Sequence, residues 1–210
     1  MELKKLSEIE LLALLSASSV LRKEKQFDLI LIEMLAQKYS LNKIYEALLQ
    51  TYLFVGFPSS LISLKKLSNI KSNNKNYDGY DFIKYKTRGE KNCRKIYGKK
   101  FDKLISNIKS FSPELSEWLI VEGYGKVLGR KGLSLKEREI CIVSILAALK
   151  FKDQLYSHIN GAIRVKTKIE VIKKVFTNLE IISAKSSSKF GLEVFGDYQK
   201  SKNKSFYFHS

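Results

Sequence analysis

Prolines are nearly missing from this chain: 210 residues contain two, Pro58 and Pro113. Each sits where a helix could begin, because proline lacks an N–H that the first helical turn does not need and carries a φ already suited to it. Long uninterrupted runs of Leu, Ile, Lys and Glu separate them, and only eleven glycines punctuate the rest. Helix starts can be read from capping boxes, in which a Ser or Thr caps a backbone N–H and a Glu three positions on reaches back. Ser7 with Glu10, Ser134 with Glu137 and Thr167 with Glu170 have that form. An all-α protein is expected, and a hydrophobic share of 44% is enough to fill its core.

The order of helices follows from periodicity and breakers. One helix runs from Ser7 to about Leu21, and a second from Gln26 to about Lys38. A third begins near Ser40 and Asn42 and is closed by Gly56, and a fourth starts at Pro58 and ends near Leu67. From Ser68 to about Asn92 the text turns polar and Asn-rich and carries a DG turn signal, so residues 68–92 read as a linker. Its aromatics, Tyr77, Tyr80, Phe82 and Tyr85, suggest packing on a surface. Further helices are predicted from Arg94 to Ser110, from Ser112 to near Leu128, from Ser134 to Leu149, from about Gln154 to Arg164 and from Thr167 to Ser183. A weakly amphipathic last helix and a basic tail follow. The domain reading is a first helical unit over 1–67 and a second over 93–210, joined in one compact body.

The two ends read alike, each as a long helix, a shorter one, a capped third and a terminal helix. Laying Ala36 on Ala162 gives an offset of about 126 residues, with Ile32 opposite His158 and Ala13 opposite Glu139. On that reading only the second unit carries polar chemistry.

The net charge of +17 raises the question of nucleic acid, since cations that neutralise phosphates release counterions. Six arginines (Arg22, Arg88, Arg94, Arg130, Arg138, Arg164) among 38 basic residues leave 32 lysines, spread along the chain. Forked guanidinium groups are preferred for phosphate and base contacts, so this excess reads as solvated surface and nucleic acid is not an expected partner. Cys93 and Cys141 have no CxxC spacing, which fits a reducing compartment and no disulfide frame. Cys141 falls in an apolar run and reads as a small core residue. The start lacks a secretory h-region, and Leu11–Leu21 is too short to span a bilayer, so a cytoplasmic protein without a membrane span is expected.

The most chemical pair in the chain is Glu139 and His158, nineteen residues apart on a predicted helical hairpin. With the turn near Phe151, the two miss level alignment by roughly 7 Å at 1.5 Å per residue. A carboxylate facing an imidazole fixes the ring's tautomer, as a general base requires. The same spacing equally describes a hydrogen-bonded core histidine and an exposed glutamate. Gln154 and Tyr156 flank the histidine as candidate hydrogen-bonding groups, and Tyr156 also reads as a core aromatic. No metal site is expected, because His209 is in the tail and no other His, Cys or carboxylate set has ligand spacing. GYGKVLGRKG is no phosphate loop, since it lacks the preceding strand and the Lys-Ser/Thr ending.

Four segments in order resemble the carboxymuconolactone decarboxylase and alkylhydroperoxidase-D-like family. EALLQTYLFVGFPSSLISL, from Glu46 to Leu64, is similar to an apolar helix ending in Tyr-x-Gly-Phe-Pro, with Phe54 in place of the Tyr. RGEKNCRKIYG, from Arg88 to Gly98, resembles Arg-x-x-Gly followed by Tyr-Gly. EGYGKVLGRKGLSLKEREI, from Glu122 to Ile140, resembles the entry to the active helix pair, and QLYSHINGAI, from Gln154 to Ile163, resembles the His-x-x-Gly-Ala-Leu helix. The resemblance implies a bundle of two tandem units, assembly into trimers or hexamers, and a pocket near the Glu and His. In the peroxidase branch two cysteines stand four and seven residues before the His. Here those places hold Gln154 and Phe151, so thiol peroxidation is not expected.

The branch without cysteines resembles the decarboxylase, whose substrates are small cyclic acids or lactones and which uses no cofactor. By that resemblance His158 would transfer the proton, Glu139 would orient it, and Arg130, with Arg164 as a second candidate, would clamp a substrate carboxylate. Where the family has a Gly after the His helix, this chain has Lys166, so a different turn is expected there. A helical oligomerisation or ligand-binding protein with a degenerate pocket is the competing expectation.

Overall fold

The computed structural model describes residues 2–71 and 79–207. Among them every regular element is helical and no strand occurs. Tyr77 and His209, and the linker positions 72–78, lie outside the described residues.

Two helices, α1 (Glu8–Val20) and α8 (Leu135–Leu149), pack against each other at the centre. From Leu11 to Val20 and from Arg138 to Ala148 every residue is buried. Helices that are apolar or small on all faces have no solvated side to turn outward, and so they occupy the middle of the bundle. Around α1 lie α2 (Glu24–Ala36), α3 (Leu41–Leu49) and α4 (Tyr52–Ile70), the last interrupted at Gly56, whose φ of 68° breaks the helix before Pro58. Around α8 lie α9 (Lys152–Arg164), α10 (Ile169–Asn178) and α11 (Lys185–Tyr207). No single helix among the described residues is long and apolar enough to cross a membrane.

Four helix ends close alike at a fixed spacing, which differs from the offset of the sequence alignment. Arg22 and Lys38 adopt left-handed φ values of 53° and 59°, and 128 residues later Lys150 and Lys166 do the same at 61° and 65°. Each ends its helix with a pair of crossed hydrogen bonds: Lys23 N–H to Ser18 O and Phe151 N–H to Leu146 O, then Tyr39 N–H to Met34 O and Thr167 N–H to Ala162 O. These are Schellman closures, usually built on glycine. A residue ending a helix beside the negative end of its dipole gains from a positive side chain, and all four of these are Lys or Arg. Lys166 therefore forms the turn that its lack of Gly had put in question. At an offset of 128, His158 (8% exposed) faces Ile30 (1%), whereas Ile32, the partner expected at 126, is 57% exposed. Counted from the capping serines Ser7 and Ser134, Glu139 corresponds to Leu12. The polar pair thus replaces two core aliphatic residues.

Between the units runs α5 (Phe82–Tyr97), a short 3₁₀ turn (Gly98–Lys100), α6 (Phe101–Phe111), α7 (Pro113–Trp118) and a π-helical segment (Leu119–Val127). Residues 82–92, read from the sequence as linker, are the first part of α5. Its inward face uses Tyr85, Gly89, Cys93 and Ile96, a four-residue rhythm hidden by a polar composition. The helix predicted to run from Arg94 to Ser110 is divided at Gly98, whose φ is 55°. Thr167 does not cap α10; Lys168 precedes that helix, and the Thr167 hydroxyl is buried without a partner.

Glycines in the GYG stretch serve close packing. A Cβ on Gly125 would collide with the Tyr85 carbonyl, and one on Gly89 with the Ile120 carbonyl, so α5 and the π segment touch backbone to backbone. Widening into a π turn frees carbonyls, and two side chains of α5 take them: Arg88 Nε donates to Gly125 O and Asn92 Nδ2 to Tyr124 O. Gly125→Ala should therefore cost about 1–3 kcal/mol, or more, in urea unfolding. Gly196→Ala, at an α11 position where a Cβ meets nothing, should gain up to about 1 kcal/mol.

Both predicted capping boxes of the central helices form: the amides and hydroxyls of Ser7 and Ser134 donate to Glu10 and Glu137. Lys43 Nζ joins the two helix starts, 2.6 Å from Glu8 and 2.7 Å from Glu137. Burial works to raise the carboxyls of Glu10 and Glu137. Hydrogen bonds from Ser7 and Asn178 to the first, and from Lys43 and Ser134 to the second, outweigh it and hold both below the ordinary value of 4.5. Their stabilisation is fully present above that value and is lost as pH falls through the lowered ones. The urea midpoint should drop on acidification below pH 4.5, and the Glu10→Gln, Glu137→Gln protein should show a flatter acid limb.

Candidate functional site

α8 and α9 bring Glu139 and His158 into direct contact, with His158 Nδ1 2.9 Å from Glu139 Oε2. The roughly 7 Å mismatch disappears because Glu139 does not reach α9 at the level of the histidine. It lies beside Gly161, ten residues past Phe151 as Glu139 is twelve before it, and a Cβ there would stand 2.7 Å from Oε2. With no side chain at 161 the carboxylate rests on α9, and His158, one turn back on the same face, meets it. Glu139 is 1% exposed and His158 8%. With Glu139 ionised as the acceptor, the ring carries its proton on Nδ1 and presents Nε2 as the nitrogen without that partner.

The middle segment supplies the rest of the surroundings. Tyr97, at the end of α5, sets its ring edge-on to His158 with centroids 6.1 Å apart. Tyr124 of the π segment packs edge-on against Tyr97 and donates its hydroxyl to the Tyr97 oxygen at 3.3 Å. Burial pushes both phenols up, so both stay protonated. Cys93, one turn before Tyr97, is fully buried. Burial first, and the charge of Glu139 second, push its thiol up to about 12. Tyr97, Tyr124 and Cys93 were not among the residues singled out from the sequence. The signal that could have found the tyrosines is the pair of Tyr-Gly steps, Tyr97-Gly98 and Tyr124-Gly125, the first placing a ring beside α9 and the second letting the π segment bring Tyr124 against it.

The other sequence candidates lie apart from this contact. Arg130 follows the π segment and is bound to Glu46 of α3, its Nε 3.0 and 3.1 Å from the two carboxylate oxygens. Arg138, 1% exposed, donates to the same carboxylate at 3.0 Å and to Arg130 O at 3.0 Å, and its other arm reaches Gln50 Oε1 at 3.3 Å. Arg130 is thus part of a buried Arg–Glu–Arg group that ties the loop before α8 to the first unit. Gln154 is exposed in the first turn of α9, on the face of His158 but without a hydrogen bond to it. Tyr156 turns to α11, where its hydroxyl is 2.6 Å from Ser201 Oγ and its ring is edge-on to Tyr198. Phe151 is 49% exposed, so neither Phe151 nor Tyr156 plugs the histidine. Arg164, the second clamp candidate, ends α9 and makes no ion pair among the described residues. Its guanidinium fills the space that a Cβ on Gly98 would take, next in the chain to Tyr97.

Among the described residues no group of three or more His, Cys, Asp or Glu is placed to hold a metal ion. Cys141 is buried in α8 with its thiol pushed up to about 12 by burial, beside Ser16 and Gln50. An open cleft between α1, α2 and α4, lined by Ser19, Arg22, Phe27, Ser59 and Lys66, belongs to the first unit and does not adjoin His158 in sequence or helix order. No protein-family model and no curated protein matches this chain.

What the site can do chemically follows from one imidazole held by a buried carboxylate and bordered by the neutral phenol of Tyr97, itself backed by Tyr124: it can move a proton at Nε2 in a partly dry place. Gly161→Ala tests the geometry. The added methyl would press on Glu139 Oε2 and on Ile96 Cγ2, each 2.7 Å away. The variant should lose about 1–3 kcal/mol of stability. Its low-field proton resonance from the His158 Nδ1–H should shift or vanish, while Gly196→Ala leaves that resonance in place.

Proposed function

We propose that this chain is an acid–base enzyme of the carboxymuconolactone decarboxylase and alkylhydroperoxidase-D-like kind, a bundle of two tandem helical units acting on a small carboxylate or lactone without a cofactor. The observation that carries the reading is the buried Glu139–His158 contact, made across the hairpin at the spacing the resemblance implies. Its support from the fold is the correspondence of the two ends at 127 to 128 residues, in which the pair stands where the first unit has Leu12 and Ile30. A chain keeping two ionisable groups at core positions accepts a desolvation penalty that two aliphatic residues would avoid. The same reading carries assembly into trimers or hexamers and a cytoplasmic, reducing location.

In this mechanism Glu139 accepts the Nδ1–H and holds the ring, so that proton transfer takes place at Nε2. For a lactone that carries a carboxylate, the bond to that carboxylate breaks, CO2 leaves, and the electron pair passes into the conjugated lactone carbonyl. For this step His158 enters as the imidazolium, Nδ1–H on Glu139 and a second proton on Nε2; the Nε2 proton passes to the carbon, leaving the neutral ring, and water restores it. Carboxylate recognition falls to Arg164, since Arg130 is held by Glu46. Thiol peroxidation is disfavoured by two buried thiols, both pushed up to about 12 and so not thiolates near neutral pH. The competing reading, a helical binding or oligomerisation protein with a degenerate pocket, draws on the low exposure of His158, 8%.

The test is turnover of a panel of small carboxylated lactones by the purified wild-type, His158→Ala and Glu139→Gln proteins, each checked for fold by circular dichroism. His158→Ala should lower kcat at least about 100-fold, the usual worth of a positioned general acid or base. Glu139→Gln should lower it less while shifting the pH profile. A folded His158→Ala protein with undiminished turnover would remove the proposal.

A further inference from the structure

The hydroxyl of Tyr97 is oriented by the protein but not used by it. Tyr124, 2% exposed, gives its own proton to the Tyr97 oxygen at 3.3 Å, and that is the hydrogen bond Tyr97 makes among the described residues. The Tyr97 O–H is left with no protein acceptor. Unlike Tyr124, Tyr97 is only partly buried, so part of its side chain stands at the surface. Its ring borders His158, and Gly98 directly after it takes a φ of 55°, which ends α5 there and holds the tyrosine against α9. A donor that is fixed from behind, neutral and unpaired next to a proton-transfer group is the arrangement that stabilises negative charge developing on an oxygen.

We infer that Tyr97 is a catalytic residue for the proposed reaction, its O–H donating to the oxyanion that forms on a substrate carbonyl while His158 handles the proton at carbon, with Tyr124 as the positioning residue behind it. The inference rests on the acid–base reading of Glu139 and His158 and names the chemistry of its substrate: a carbonyl compound that passes through an enolate. When the bond at the carbon next to the carbonyl breaks, to hydrogen or to a departing CO2, its electron pair moves to the carbonyl oxygen. Tyr97 hydrogen-bonds that oxygen and keeps its own proton, which burial favours by disfavouring the phenolate. The electron pair then returns to carbon as His158 delivers its proton, and no oxidant, reductant or metal enters the balance. The hydrogen bond from Tyr124 makes Tyr97 a stronger donor, because polarised chains of hydrogen bonds reinforce one another.

The probe is 4-nitrophenolate, a stable oxyanion whose absorbance reports its binding, titrated into the full chain as wild type and as Tyr97→Phe, Tyr124→Phe and His158→Ala. Wild type should bind the phenolate. Tyr97→Phe should weaken binding about 10-fold or more, the worth of one hydrogen bond to a charged acceptor, with Tm little changed. Tyr124→Phe should weaken it by a smaller factor, about threefold. His158→Ala should still bind the phenolate, so a failure of the acid–base reading, seen as undiminished turnover in His158→Ala, stays distinct from a failure here. With a turned-over lactone, Tyr97→Phe should lower kcat about 100-fold or more and move KM little. Equal phenolate affinity in wild type and a folded Tyr97→Phe protein, or no phenolate binding by wild type, overturns the inference.

Discussion

The packing of α1 on α8 is the contact on which the remainder of this bundle rests. Two helices buried on all sides make every other helix a cladding layer, and they also set a severe rule for polar residues. A charge on α1 or α8 cannot reach water, so it must be met by another element. On α1 the rule is obeyed by leaving charge out beyond the capping glutamates; of the serines inside, Ser16 donates to Leu12 O and Ser18 to Leu15 O, while Ser19 pairs with the Ser63 hydroxyl of α4. On α8 two adjacent charges are kept and sent opposite ways: Arg138 toward Glu46 of the first unit, Glu139 toward His158 of the second. One helix therefore joins a structural ion group to the candidate site. Its capping box at Ser134 fixes where both residues fall along the helix.

This arrangement explains why Arg130 belongs to the frame and not to the site. Glu46 sits between two guanidinium groups, and removing it would leave Arg138 buried and unpaired, a loss of about 3–5 kcal/mol by the usual reckoning for broken buried pairs. The loop from the π segment to α8 is anchored by that group, and the π segment in turn carries Tyr124 to Tyr97, the ring beside the histidine. Frame and site are mechanically continuous through residues 124–139, although they share no side chain.

Much of this was legible in the sequence, and the reasons for the remainder are specific. Capping boxes and proline placement located the central helices because they are local signals, decided within four residues. The Glu–His contact was legible as a possibility only, since its geometry turns on Gly161, a residue whose role is to be absent as a side chain. Burial of α5 was hidden because its apolar positions are few and separated by lysines, so composition outweighed rhythm. The alignment of the two ends and the spacing of their helix closures differ by two residues: Ala36 and Ala162 look alike, yet the left-handed lysines and arginine that close the helices have no sequence signature, glycine being the residue expected there. Tyr97 and Tyr124 were invisible as a pair because they are 27 residues apart and meet only through the glycine contacts of α5 with the π segment.

The repeat also accounts for why only one copy would carry chemistry. Burial along α2 and α9 matches when the helices are aligned at their Schellman closures, so the fold by itself asks only for an apolar residue at 30 and at 158. What differs is the neighbour. Against α2 lies the short N-terminal turn Glu2–Lys5, which offers Leu3; against α9 lies α5, which offers Tyr97, Cys93 and a path to Tyr124. The histidine at 158 has a carboxylate on one side and the Tyr97 ring on the other. The segment of residues 82–127 is thus the element that gives α9 a neighbour α2 lacks, and the aromatic surroundings of His158 come from what that segment brings to α9.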